Sequence, residues 1–212
     1  MTKNKYTAAF IAIVMLTVVS DLLADLLAIH MFAVGSFRFT GGEFIFPIVY
    51  IVNDIVTEVY GIKTTKKIIW CGLIANAYAL GAITIVAYLA GAGTPIYDYI
   101  IGGYGVASAI AVAIAGFGAY LVASFVNAHI MDKMKQRDQE KRFALRAFVS
   151  TVFGELCDSA VFGGIACLLG LYAWSDYMSL TFTVLWLKVL IEAVCLPLTS
   201  VIVRKIKVLE MR

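Results

Sequence analysis

Long apolar runs constrain the fold of this chain more than any other feature. Six runs are separated by short polar connections, at residues 6–31, 44–60, 68–90, 106–131, 143–172 and 180–203. Each meets or approaches the ~20 residues that a helix needs to cross a bilayer. Of the 212 residues, 62% are hydrophobic and 15% are charged, whereas soluble domains have about 25% charged residues. The sequence therefore predicts an all-α integral membrane protein, a bundle of six transmembrane helices.

The basic residues fall mainly at alternate ends of these runs. They are Lys3 and Lys5, then Lys63, Lys66 and Lys67, then Lys133, Lys135, Arg137, Lys141, Arg142 and Arg146, and finally Arg204, Lys205, Lys207 and Arg212. The opposite connections have Arg38 and almost nothing else. Because positive residues favour the cytoplasmic side, both termini are predicted to be cytoplasmic. We expect residues 1–212 to form a single six-helix domain in the cell (inner) membrane, with an uncleaved first helix.

Charged side chains interrupt four of the six runs at helical spacing. The pairs are Asp21 and Asp25, Asp54 and Glu58, Glu155 and Asp158, and Lys188 and Glu192. Residues three or four apart lie on one helical face. An ionisable group at the bilayer centre costs about 2.5–3.5 kcal/mol, so such groups normally face the bundle interior. The pattern predicts an acidic cavity with one internal cation, Lys188. A purely structural alternative is that Lys188 pairs with Glu192 on its own helix.

Transport of a polar solute fits this pattern better than catalysis does. The chain has no HExxH sequence and no phosphate-binding loop, and His30 and His129 are single residues at opposite ends of their runs. We therefore expect no catalytic residue, no metal, no cofactor and no nucleic-acid partner. A carboxylate can accept two adjacent N–H groups from a planar heterocycle such as a guanine-like base. Phe46 and Tyr50 can stack on such a ring.

Two stretches resemble the queuosine precursor transporter family, also described as vitamin uptake transporter-like. They are FPIVYIVNDIVTEVYGIKTTKKIIW, residues 46–70, and STVFGELCDSAVF, residues 150–162. The resemblance implies a six-helix inner-membrane importer of 7-deazaguanine precursors, in the 7-cyano or 7-aminomethyl form, for queuosine salvage. It also implies a relation in fold to the substrate-binding components of energy-coupling-factor (ECF) vitamin transporters. The residues that match the polar positions of the family are Asn53, Asp54, Glu58, Glu155 and Asp158.

The first helix departs from the family pattern. It has Asp25 and His30 where the family leads us to expect Asn and Lys, and the added acid favours a cationic aminomethyl base. The predicted substrate-binding set is Asn53, Asp54, Glu58, Glu155, Asp158, Lys188, Glu192, Asp25, Phe46 and Tyr50. The expected partners are a small-molecule base and the lipid bilayer, and stripes of Gly and Ala permit a homodimer. Two alternatives stay open: a substrate-binding subunit that needs a separate ATPase, and an intramembrane enzyme.

Overall fold

The computed structural model describes residues 7–28, 31–34, 37–101, 105–138, 141–171 and 173–210. Its elements in chain order are α1 (Ala8–Leu27), β1 (Met31–Val34), β2 (Phe37–Thr40), α2 (Gly42–Tyr60), α3 (Ile62–Ala90), α4 (Pro95–Ile100), α5 (Gly105–Asp138), α6 (Phe143–Leu168) and α7 (Tyr177–Glu210). The predicted helical bundle is confirmed. Between α1 and α2, where the sequence predicts only an outer loop, β1 and β2 form a short antiparallel hairpin.

Five of the described helices are long and apolar enough to cross a membrane: α1, α3, α5, α6 and residues 181–210 of α7. The helix α2 differs because its 19 residues include three acids, Glu43, Asp54 and Glu58. The chain is therefore a multi-pass membrane protein, whereas the count of six spans stays a prediction that depends on α2. The single-domain organisation and the cytoplasmic termini also stay predictions.

The acidic helix α2 lies at the centre of the bundle. It packs against α1, α3, α5, α6 and α7, and 11 of its 19 residues are buried. Its first turn lies so close to α1 that a Cβ atom on Gly42 would come within 2.4 Å of the Ala24 carbonyl oxygen. Glycine is therefore required at this crossing. Burial among other helices is the arrangement that lets a short and polar helix exist at membrane depth.

The connection between α2 and α3 is a single residue, Gly61, with φ +80°. This backbone conformation favours glycine because it has no Cβ atom. The helix α3 then begins at Ile62, six residues before the predicted start of the third span. Pro47 is the sixth residue of α2, which begins at Gly42, and so lies beyond the first turn of the helix. Its missing N–H removes the helical partner of the Glu43 carbonyl.

Contacts at one end of the bundle bring together the start of α1 and the ends of α2 and α7. The Thr7 hydroxyl donates to the Glu210 carboxylate, and the Tyr60 hydroxyl donates to the same carboxylate at 2.9 Å.

Away from the centre of the bundle, large apolar side chains on α3 are exposed, as expected for a surface in contact with lipid. Examples are Ile74, Tyr78 and Leu89.

Candidate functional site

Three clusters of polar side chains follow one another along the interior of the bundle. The helix α6 contributes to all three, from Arg146 through Ser150 to Glu155 and Asp158. The twelve residue steps from Arg146 to Asp158 correspond to about 18 Å along the helix axis. The helices α2 and α7 contribute to the same three clusters. We name them the lysine cluster (Lys188, Glu43, Glu155, Asp158), the carboxyl cluster (Asp54, Ser150, Asn127, Thr151, Glu192) and the arginine cluster (Arg146, Glu58, Asp138, Lys207).

The lysine cluster surrounds a single buried ammonium group. The Lys188 Nζ atom lies 2.6 Å from an Asp158 carboxylate oxygen and 3.3 Å from oxygens of both Glu155 and Glu43. It also lies 4.3 Å from the centre of the Phe46 ring, where the face of the ring attracts a cation. Lys188 therefore joins α7 to α2 and α6. Glu192, its neighbour on α7, is not among these partners.

Aromatic rings form one wall of the lysine cluster. The Phe46 ring meets the Tyr50 ring edge to face, with 5.4 Å between the centres. Tyr50 is 1% exposed, and its hydroxyl has no hydrogen-bond partner among the described residues. Close packing against α6 positions this ring, because a Cβ atom on Gly154 would lie 3.1 Å from Tyr50 Cε1. The result is an aromatic surface beside three carboxylates and one ammonium group.

Two further carboxylates, on α1, approach the lysine cluster from the side. The Asn76 amide of α3 donates to Asp21 at 3.2 Å and also to Asp25. Both carboxylates lie within electrostatic range of Asp158. Asp25 is therefore adjacent to the lysine cluster, although the structure gives it no contact with Lys188. The other residue of the predicted first span that departs from the family pattern, His30, lies outside the described residues.

The carboxyl cluster lies one to two turns from the lysine cluster, toward the N-terminal end of α6. The Ser150 hydroxyl is 3.4 Å from Asp54 Oδ1, and the Asn127 amide of α5 also faces Asp54. The Glu192 carboxylate of α7 lies within electrostatic range of Asp54 and next to the Thr151 hydroxyl. All of these side chains are at most 1% exposed. The cluster therefore contains two buried carboxyl groups, and no cation contacts either of them in the described part of the chain.

The arginine cluster closes the end of the bundle where α2 stops. Arg146 is fully buried and donates to Glu58 at 2.8 Å and to Asp138. Lys207 of α7 contacts the second Glu58 oxygen at 2.5 Å. Lys135 of α5 donates to the Glu58 backbone carbonyl at 2.6 Å. Glu58 thus joins α2 to α5, α6 and α7 through charged contacts.

The structure brings together only part of the predicted substrate-binding set. Lys188, Glu155, Asp158, Phe46 and Tyr50 lie in or against the lysine cluster, and Asp25 lies beside it. Asp54 and Glu192 belong to the carboxyl cluster, and Glu58 to the arginine cluster. Asn53 is buried, with no hydrogen-bond partner for its amide nitrogen in the part of the chain described.

Four charged residues of these clusters are absent from the predicted set: Glu43, Arg146, Asp138 and Lys207. The predicted second span starts at residue 44 and excludes Glu43, although Glu43 precedes Phe46 by three residues and so shares its helical face. The charge pattern assigns Arg146 to the basic residues of an inner loop, although α6 begins at Phe143 and places it one turn inside the helix. Neutral partners such as Asn76 and Thr151 gave no signal, because single polar residues in apolar helices are common.

The lysine and carboxyl clusters are almost closed to solvent in this conformation, whereas Lys207 and Asp138 at the edge of the arginine cluster are partly exposed. Glu155 is 0% and Lys188 is 4% exposed. A cavity of about 330 Å³ lies elsewhere, between α3 and α5, and is lined by Lys66, Phe125, Val126, His129 and Ile130. The described structure thus presents its charged interior in a packed, occluded state.

Comparisons with known proteins point to transport. A sequence model of the family described as "Putative vitamin uptake transporter" matches residues 40–202, which include all of α2, α5 and α6. A protein of Escherichia coli (strain K12) named queuosine precursor transporter is 23% identical over 134 residues. That match covers 62% of this chain and 56% of the relative, so the chain spans little more than half of that protein's length. No solved structure matches the chain.

Proposed function

Because this chain belongs to the vitamin uptake transporter family, we propose that it imports 7-deazaguanine precursors of queuosine across the cell membrane. The substrate would be the 7-cyano or the 7-aminomethyl base, used for salvage into tRNA queuosine. Membership in a family of transporters favours transport over the intramembrane-enzyme alternative. The relation in fold to ECF substrate-binding components and the formation of a homodimer remain parts of the same proposal.

The main support for the proposal is that the Glu155 carboxylate in the lysine cluster is buried and lacks hydrogen bonds. This carboxylate is 0% exposed, and neither of its oxygens accepts a hydrogen bond from the described residues. Among the described residues, its charged contact is with Lys188 Nζ, at 3.3 Å. A guanine-like edge offers two adjacent N–H donors that one carboxylate accepts side by side. Such a base would supply the hydrogen bonds that this buried carboxylate lacks.

The neighbours of Glu155 suit the rest of a planar base. Phe46 and Tyr50 supply aromatic faces and edges against which a heterocycle packs. Asp158 holds Lys188 at 2.6 Å and so keeps the cation beside the aromatic wall. A third carboxylate, Glu43, would favour the cationic aminomethyl substituent. In this proposal Asp25 and Asn53 flank the base, while Asp54, Glu58 and Glu192 serve the transport cycle along the bundle.

Entry of the base requires the helices to separate, because the lysine cluster is closed. The charged contacts that hold it join α7 to α2 and α6, so a movement of α7 away from these helices would open it. At the other end, the arginine cluster joins the same helices through Glu58. Opening of one cluster while the other remains closed would give access to one side of the membrane at a time.

Uptake by cells that cannot synthesise the precursor tests this function. We expect Glu155→Gln and Asp158→Asn to lower the uptake of labelled precursor about tenfold or more, since a hydrogen bond to a charged group contributes about 1.5–3 kcal/mol. Asp176→Asn is the matched control, because Asp176 is exposed in the turn before α7. Unchanged uptake in both site variants, at expression equal to the control, would contradict the proposal.

Purified protein separates the proposal from its alternatives. Uptake into liposomes that contain no ATP supports autonomous transport. Binding without uptake under the same conditions would instead favour a subunit that needs a separate ATPase. A change in the mass of the recovered substrate would favour an enzyme.

A further inference from the structure

The carboxyl cluster contains two buried acids and no basic side chain. Asp54 is 0% and Glu192 is 1% exposed. The neutral side chains placed against them are Ser150, Asn127 and Thr151, and a third acid, Glu58, also lies within electrostatic range of Asp54. Two ionised carboxylates at this depth would repel each other in a medium of low dielectric constant and would have no compensating charge.

The charged groups nearest to this cluster along each helix are engaged elsewhere. On α2, Glu58 is paired with Arg146 of α6 and Lys207 of α7. On the opposite side, Glu155 of α6 and Lys188 of α7 belong to the lysine cluster. The helix α5 contributes Asn127, which is neutral. None of these cations contacts Asp54 or Glu192 in the described structure, so the negative charge of the two acids has to be neutralised in another way.

The hydrogen bonding of the cluster is also incomplete. Asp54 Oδ2, both oxygens of Glu192, both polar atoms of the Asn127 amide and the Thr151 hydroxyl have no hydrogen-bond partner within the described residues. All four residues are at least nine-tenths buried. Buried polar groups in proteins are almost always satisfied, so this set indicates a bound species that donates to oxygen.

A proton on one of the two acids would supply a donor that the cluster lacks. The Ser150 hydroxyl has one proton, which it donates to the Ala147 carbonyl oxygen at 3.0 Å and, over a longer 3.4 Å, to Asp54 Oδ1. The nearer acceptor takes the larger share of this proton, so Ser150 offsets little of a charge on Asp54. A protonated carboxyl group removes one of the two negative charges and offers an O–H donor to the other acid.

We propose that Asp54 and Glu192 share one proton and that this proton is co-transported inward with each substrate molecule. The inference rests on the proposed function and adds its driving force. The proton comes from water on the outer side and is released to cytoplasmic water, so only O–H bonds form and break. Substrate occupies the lysine cluster one to two helical turns away. The proton removes one negative charge from the carboxyl cluster, which lies between the lysine cluster and the arginine cluster.

Transport by the wild-type protein in liposomes tests the coupling. With the membrane potential clamped at zero, we expect the neutral 7-cyano base to accumulate about tenfold for each pH unit of an inward proton gradient, the value for one proton per substrate. Exchange of labelled for unlabelled base without any gradient tests transport itself, and its absence would contradict the proposed function. Exchange without accumulation in the pH gradient would overturn the proton inference. Accumulation driven by a sodium gradient at equal pH would overturn it also.

Infrared spectroscopy of the protein without substrate tests the proton independently of transport. We expect a carbonyl stretching band of a protonated carboxyl group that changes in both Asp54→Asn and Glu192→Gln. Asp98→Asn is the matched control, because Asp98 is an exposed acid on α4, and the band should be the same as in the wild type. A band that changes in neither cluster variant would overturn the proposal, and a change in only one would overturn the sharing.

Discussion

Arg146 is a fully buried arginine, and its charge requires charged partners in the interior of the bundle. Arg146 has no exposed surface, and its guanidinium group is held between Glu58 and Asp138. Removal of one partner from a buried ion pair leaves an uncompensated charge, which costs more than the pair itself contributes. The stability of the bundle end therefore depends on Glu58.

We expect Glu58→Gln to lower the free energy of unfolding by about 3–5 kcal/mol, because the buried Arg146 guanidinium group loses one of its two charged partners. Unfolding of the purified protein in mixed micelles measures the change. The control is Asp132→Asn, since Asp132 accepts an exposed hydrogen bond from Gln136, and a change of about 0.5 kcal/mol or less is expected there.

A second variant tests the reason for this loss. Replacement of both residues, Glu58→Gln with Arg146→Met, should recover most of the stability, because the buried charge is then absent. If the single variant is as stable as the control, or the double variant is no better than the single one, Arg146 does not depend on Glu58.

The sequence predicts which side chains face the interior of the bundle better than it predicts the partners of those side chains. The i,i+4 spacing of Asp54 and Glu58 was enough to predict that both acids face the interior of the bundle. It could not show that Asp54 contacts no cation among the described residues, whereas Glu58 contacts two. These partners come from other helices, and the position of each partner along the bundle axis depends on where its helix begins. Arg146 illustrates this, because a start of α6 four residues later would have left it in the loop.

At the scale of elements, one glycine sets how closely α6 approaches α2 and α5. A Cβ atom on Gly154 would lie 3.0 Å from Asn127 Cβ and 3.1 Å from Tyr50 Cε1. These two residues belong to the carboxyl cluster and to the aromatic wall of the lysine cluster. A small residue at a helix crossing in a membrane lets the backbones approach, and here it also sets the distance between two parts of the candidate site.

Gly154→Ala should therefore lower stability by about 1–3 kcal/mol, the usual cost of added volume in a packed interior, and should also reduce precursor uptake. Gly164→Ala on the same helix is the matched control, because a Cβ atom there would meet nothing within 4 Å. Thermal unfolding and uptake in cells measure the two effects. Equal behaviour of the two alanine variants would contradict a close crossing at Gly154.

The boundaries of elements were the least predictable part of the fold. The sequence places the third span at residue 68, after Lys63, Lys66 and Lys67, because these residues lower the local hydropathy. The structure begins α3 at Ile62, since a helix continues beyond the hydrocarbon region wherever its charged residues reach water. Hydropathy marks the part of a helix that lies in lipid and gives no signal for where the hydrogen-bonded backbone ends.

At the scale of the whole molecule, the bundle combines a lipid-facing surface with a charged interior. The apolar runs were enough to predict a multi-pass helical protein, because only closed hydrogen-bonded structures survive in lipid. The position of α2 could not be deduced in the same way. Its central place results from packing against five helices, which no single run of sequence encodes.

We propose the lysine cluster as the substrate site of a transporter. Equilibrium binding of labelled 7-deazaguanine precursor to the purified protein in lipid nanodiscs tests this assignment. We expect saturable binding of one molecule per chain, weakened about tenfold or more in Glu155→Gln and unchanged in Asp98→Asn. Absence of saturable binding to the wild-type protein, or equal affinity in Glu155→Gln, would contradict the assignment.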